Sequence, residues 1–166
     1  ALPHYQRVAD EMTDSPLHSL AWGRVGDCYL QLGNLGQAAA AYRAVTELPG
    51  TDVTTRSQAG LGLARVLEEQ SELAGETEER EELLQQSFVQ CMDIVFGRNL
   101  RPASEKMDPF WVKEAGLMAG HLAGRLGLAE QERSVYSRLA KELPDMPLWQ
   151  AKLNALQTGP EAPKAP

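Results

Sequence analysis

Apolar residues return at helical spacing along most of this chain, and the clearest run lies between Ala21 and Pro49. Trp22, Val25, Gly26 and Tyr29 fall at i, i+3, i+4 and i+7, which puts them on one face of a helix. After a turn at Leu32-Gly33-Asn34, Ala38, Tyr42 and Val45 repeat the spacing at i, i+4 and i+7. The pattern predicts two helices joined as a hairpin. Gly26 and Ala38 sit where the helices come close, and the aromatics fill the space beside them. This apolar face is broader than one hairpin can bury, so the hairpin requires neighbours.

The pattern recurs. Tyr5 and Val8 precede Tyr42 and Val45 by 37 residues. Residues 1–13 therefore read as the second helix of a hairpin whose first helix is missing, and the chain as a piece of a longer array, with a natural N-terminal capping helix as the other reading. Ser15-Pro16 supplies an N-cap and a first-turn proline for the next helix. Beyond the turn that follows Pro49, Gly60 and Leu63 stand 34 residues after Gly26 and Tyr29, and share a face with Ala59, Val66 and Leu67. Leu84, Phe88 and Cys91 follow Ala38, Tyr42 and Val45 by 46, so 12 extra residues enter the second hairpin, either as longer helices or as a projecting loop. The acidic run Glu76–Glu82 reads as a solvated helix start, where negative charge suits the dipole, with a docking patch as the other reading.

The stretch 97–108 is polar, contains Pro102 and reads as an exposed connection. Asp108-Pro109 is another cap pair, and Gly120, Gly127 and Tyr136 each follow Gly26, Gly33 and Tyr42 by 94 residues. Gly116, Ala123 and Glu132 replace Trp22, Tyr29 and Ala38, and Trp111 or Phe110 is expected to fill the lost volume. A last amphipathic helix is expected from Asp145, with Leu148, Trp149, Leu153 and Leu156 as its apolar side. Residues 159–166 form a Pro-rich tail.

The order Trp22, Val25-Gly26, Tyr29, Gly33, Ala38, Tyr42 and Pro49 resembles the tetratricopeptide repeat. Val25 replaces the leucine of that pattern, Val45 the late small residue, and Pro49 comes one place early. The resemblance covers nearly the whole chain. It implies an all-α fold: a right-handed superhelical stack of antiparallel helix hairpins over residues 1–158. The units are a half repeat at 1–13, repeats at 15–49, 52–97 (with the insertion) and 108–144, and a capping helix at 145–157.

The resemblance also implies function. First helices in such arrays line a concave groove that holds a peptide or helix of a partner protein. Carried onto this sequence, the groove positions are Gly23, Asp27, Leu30 and Gln31; then Ser57, Leu61, Ala64 and Arg65; then Leu117, His121, Gly124 and Arg125. Some members clamp a C-terminal carboxylate with Lys and Asn; Gly23 and Asp27 occupy those places here, so that mode is not expected. Arg65 and Arg125 suit an acidic segment instead. The phrase from Asp14 to Gly33 is similar to repeats in bacterial cell-envelope proteins, which leans the compartment towards the envelope or periplasm and leaves the cytoplasm open.

Composition narrows the function classes. Hydrophobic residues make up 43% and aromatics 6%, a mixture that suits helices packed through Ala, Leu and Gly. The net charge of −7 argues against general binding to nucleic acid or anionic membrane. No apolar run approaches the roughly 20 residues that span a bilayer. Cys28 and Cys91 form neither a disulfide framework nor a zinc signature. His4, His18 and His121 have no metal-ligand partner at i+3 or i+4 on their own helices. No catalytic constellation, cofactor motif or phosphate loop is found, so an enzyme is not expected. What remains is surface: a scaffold that recruits a protein segment, or a module that assembles with itself through its ends, or an accessory region of a larger enzyme.

Overall fold

The computed structural model describes residues 1–15, 17–75, 78–101 and 104–158. Pro16, Glu76, Pro102 and the tail at 159–166, which carry expectations from the sequence, lie outside the described residues. The fold is all-α. Among the described residues there are eight helices and no strand: α1 (Leu2–Glu11), α2 (Leu17–Gln31), α3 (Leu35–Glu47), α4 (Val53–Leu73), α5 (Glu78–Val95), α6 (Pro109–Arg125), α7 (Ala129–Glu142) and α8 (Leu148–Thr158). Each packs on the next in sequence; beyond that, α2 meets α4, α4 meets α6 and α5 meets α7.

Local chemistry sets the boundaries. Asp52 caps α4 by accepting from the Thr55 amide at 2.9 Å and the Thr55 hydroxyl at 2.7 Å. Asp108 caps α6 by accepting from the Phe110 amide at 3.0 Å. Ser15 Oγ accepts from the Leu17 amide at 3.1 Å. The chain leaves α2 and α6 through Gly33 and Gly127, at φ 72° and 69°, a backbone region that residues with a Cβ rarely enter.

Two hairpins share one packing device. A Cβ added to Gly26 would stand 2.7 Å from the Tyr42 ring, and one on Gly62 of α4 would stand 2.5 Å from it. Tyr42 is thus wedged between α2 and α4 and only 1% exposed. In the α6–α7 hairpin the Tyr136 ring lies on Gly120 in the same way, and Leu139 lies on Gly116. The volume expected from Trp111 or Phe110 is therefore filled from α7. Trp111 packs at the edge of the core, whereas Phe110 is 54% exposed.

The second hairpin is built differently. α4 has 21 residues and α5 has 18, against 15 and 13 for α2 and α3. The extra residues lengthen the helices rather than make a projecting loop. α5 opens on Glu78, Glu79 and Glu81 in its first turn, all exposed. α4 is the wall between two cores. Ala59, Leu63, Val66 and Leu67 pack with Ala38, Tyr42 and Val45 on one side. Leu61 and Ala64 pack with Phe88, Cys91, Val112, Ala119 and Leu122 on the other.

The two ends depart from expectation. Tyr5 does not take the place of Tyr42: it is 37% exposed, while Gln6 Nε2 reaches α2 and donates to the Tyr29 hydroxyl at 2.7 Å. Among the described residues α1 packs only on α2, and none of them covers the flank that carries Tyr5. At the other end α8 starts at Leu148 rather than Asp145. Trp149, Leu153 and Leu156 pack into the core, but Leu148 is turned outward. Gln150, Asn154 and Gln157 are exposed, which makes that end polar.

Residues 97–101 and 104–108 form a strap rather than a free connection. Arg56, buried in the first turn of α4, donates from Nε to the Asn99 carbonyl at 3.1 Å, and from its two terminal nitrogens to the Thr51 carbonyl and the Glu105 carboxylate. Asn99 Nδ2 donates to Ser57 Oγ at 2.8 Å. Arg101 donates to the Leu48 carbonyl at 2.6 Å and to the Thr46 carbonyl, at the C-terminus of α3. Glu105 accepts the Arg101 amide at 2.9 Å as well; that bond first, with Arg56 beside it, holds its carboxyl below the ordinary range despite partial desolvation. The polar residues there satisfy one another and two helix ends.

Candidate functional site

The residues expected to face a partner divide into three groups. Gly23 on α2 is buried, with no neighbour within 4 Å of its Cβ position. Leu61 is 1% exposed, and Ser57 and Ala64 are buried with it. These three are wall, not groove, because α4 is covered on both faces. The solvent stripe of α4 runs through Thr54, Arg65, Glu69 and Glu72, and of its expected positions Arg65 alone lies on it.

A second group is occupied. Asp27 accepts the Tyr42 hydroxyl at 2.7 Å and pairs with Arg24 at 3.0 Å. Burial first, then the bond to Asp27 and its charge, pushes the Tyr42 pKa well above the ordinary value, so this hydroxyl stays a donor. Arg125 pairs with Glu68 at 2.9 Å and with Glu72, both on α4. It ties α6 to α4 and is not the free cation the sequence suggested. His121 Nε2 stands 3.6 Å from the same Glu68 carboxylate. Leu30 is half-buried against the N-terminal core.

The third group is open. Gln31, Arg65, Leu117, His121 and Gly124 are exposed. Arg65 has neither an ion pair nor a hydrogen bond among the described residues, although its charge reaches Tyr42 and Cys91. Leu117, His121 and Gly124 border a shallow depression of about 440 Å³ with Arg125, Glu132, Tyr136 and Lys152. No neighbour lies within 4 Å of the Cβ position of Gly124, so a ligand main chain has room to approach there. Lys152 Nζ sits 5.2 Å from the centre of the Tyr136 ring. Burial first, then the charge and hydrogen bond of Glu132, pushes the Tyr136 pKa up to about 12.

Three groups at this surface escaped sequence reasoning: Glu68, Glu72 and Lys152. Helical spacing placed both glutamates on α4, but nothing local announced that Arg125 would reach them from 57 and 53 residues away. Among the described residues no cluster of three or more His, Cys, Asp or Glu is placed to hold a metal ion. Cys91 is fully buried; burial first, with Glu68 adding to it against Arg65, pushes its thiol up to about 12. No described helix is long and apolar enough to cross a membrane. Comparison with protein-family models, curated proteins and solved structures finds no match to this chain.

Proposed function

We propose that the chain is a tetratricopeptide-like interaction module, and that the row α2–α4–α6 receives an extended or helical segment of a partner protein. Packing carries the reading. Gly26 and Tyr42, and again Gly120 and Tyr136, make the same glycine–tyrosine seat at the same 16-residue spacing, 94 residues apart. The first helices of successive hairpins also touch, α2 to α4 and α4 to α6. Under this reading the hairpins stack as a right-handed superhelix, and the exposed stripes of the three first helices form its concave wall. Arg65 is a cation on that wall with no ion-pair partner among the described residues, so an acidic side chain of the bound segment meets it. A charge-assisted hydrogen bond contributes about 1.5–3 kcal/mol once the segment covers it. Arg125 does not bind the partner; it holds the wall together.

Peptides selected from a random display library on the intact protein test this. Amide shifts on binding are expected at Gln31, Arg65, Leu117 and His121. Arg65→Glu is expected to weaken binding at least tenfold with the melting temperature unchanged. Peptides that bind the variant equally well, or whose shifts fall on α3, α5 and α7, remove the reading.

A self-assembling module is the second reading, favoured by Tyr5, Met12, Leu17 and Leu20, all exposed on α1, α2 and the turn between them. The polar surface of α8 argues against head-to-tail stacking. Light scattering across concentration separates the two: a monomer supports the first reading, a growing mass the second.

A further inference from the structure

His18 occupies a position where its protonation state decides a contact. Its Nδ1 lies 3.0 Å from the Thr13 carbonyl oxygen, and its Nε2 lies 3.0 Å from Trp22 Nε1. A carbonyl only accepts and an indole N–H only donates. Nδ1 must therefore carry the hydrogen, and Nε2 must offer its lone pair. Only the neutral ring in its Nδ1–H tautomer satisfies both partners. An imidazolium has hydrogens on both nitrogens and nothing to offer Trp22.

The three residues belong to different parts of one junction. Thr13 is in the turn after α1, His18 is in the first turn of α2, and Trp22 one turn on packs against the N-terminal core. The ring lies in a depression lined by Asp14, Ser15 and Ser19 beside it, by Leu48, Pro49 and Gly50 beyond α3, and by Thr51 and Asp52 at the start of α4. Asp14 and Asp52 are the charged groups there, and the end of α3 brings none. Burial opposes the charge on Asp52, but the bonds from the Thr55 side chain and amide outweigh it and hold the carboxyl below its ordinary range. It is therefore ionised wherever imidazoles titrate, between about pH 5 and 8.

We propose that His18 is a proton-operated latch between α1 and α2. The neutral ring holds Thr13 and Trp22 together. The imidazolium keeps its Nδ1–H on the Thr13 carbonyl but releases Trp22, and its Nε2–H is drawn towards the carboxylates of Asp14 and Asp52. This stands independently of the interaction surface on α2, α4 and α6.

Nuclear magnetic resonance of the nitrogen-15-labelled full chain tests it. At pH 8, long-range imidazole spectra are expected to show His18 as the Nδ1–H tautomer; an Nε2–H tautomer overturns the proposal. As the pH falls to 5, the Trp22 indole signal is expected to shift in one step at the midpoint of the His18 ring, with the indoles of Trp111 and Trp149 unmoved. A Trp22 signal that stays in place while His18 gains its proton overturns the latch. His18→Gln keeps a donor and an acceptor but cannot charge, so its Trp22 signal is expected to hold its pH 8 position. If that signal still moves, the carboxylates alone drive the change and the proposal fails. Should the variant not fold, the tautomer and the shared midpoint in the wild-type chain still decide.

Discussion

The first and third hairpins bring their helices together by removing side chains, whereas the second does so by adding length. Between α2 and α3, and again between α6 and α7, a glycine gives a tyrosine ring a flat seat against helix backbone. The helices are shorter than α4 and α5, and the α6–α7 hairpin adds a second close approach, Leu139 on Gly116. Between α4 and α5 no ring sits on the equivalent glycine. Gly60 faces Ile94, with 3.4 Å between the Cβ position and the side-chain tip. Two long helices bury a wide apolar face instead, and Ser87 Oγ donates to the Ala64 carbonyl at 2.7 Å across them. The strap from Asn99 to Asp108 then closes the end of α4 around Arg56. The same repeat pattern thus tolerates two ways of excluding water: one sensitive to a single methyl group, the other to a buried charge.

That difference is broken most severely at Arg56. Its guanidinium is 4% exposed and satisfies two carbonyls and a carboxylate. Arg56→Met leaves the Thr51 and Asn99 carbonyls and Glu105 without their donor. Removing one member of a buried ion pair costs about 3–5 kcal/mol; Glu105 keeps some access to water, so about 3 kcal/mol is expected. Urea unfolding measures it. A loss below about 1 kcal/mol means that the strap is decoration on the long hairpin rather than part of its closure.

The glycine seat offers the sharper contrast. In a helix interior, Gly→Ala gains about 1 kcal/mol from backbone entropy. At Gly26 the new methyl meets the Tyr42 ring at 2.7 Å, and that ring is fixed by Gly62 on its other side and by Asp27 at its hydroxyl. Overpacking of this kind costs about 1–3 kcal/mol, so Gly26→Ala is expected to lose about 1 kcal/mol net. The loss belongs to the ring. In a Tyr42→Leu background Gly26→Ala is expected to be neutral or stabilising, and a double-mutant cycle gives the coupling directly. Additive effects would show that the ring and the glycine are neighbours without being partners.

Much of this was legible before any coordinates. Gly26, Gly33, Gly120, Gly127, Tyr42 and Tyr136 announce the two short hairpins by their shared spacing, and Asp52 and Asp108 mark helix starts by cap chemistry that is local by nature. What could not be read depends on how many neighbours a helix has. Periodicity assigns Leu61 and Ala64 a face but does not say that a second core covers it. Nor could it show that Arg125 is claimed by Glu68 and Glu72, since that pairing needs α4 and α6 side by side. The polar strap was misread for the same reason: a polar stretch with Pro102 looks solvated until Arg56 and the helix end it satisfies are in place. Tyr5 shows the converse error. Its 37-residue spacing from Tyr42 is real, but a helix with a neighbour on one side only settles through Gln6 and Ala9 instead.

The smallest expected effect lies at Gly60, and its sign is what matters. Gly60 stands 34 residues after Gly26 and looks interchangeable with it in sequence. In the structure its Cβ position has Ile94 Cδ1 at 3.4 Å and Ile94 Cγ1 at 3.9 Å, which is ordinary van der Waals contact. Little opposes the entropic gain of placing alanine within α4, so Gly60→Ala is expected to be neutral or to stabilise by up to about 1 kcal/mol. Thermal unfolding of Gly26→Ala and Gly60→Ala side by side should move the midpoint in opposite directions, or down and not at all. If both fall equally, the second hairpin closes on its glycine as tightly as the first, and the division drawn between ring-seated and length-stabilised hairpins is wrong.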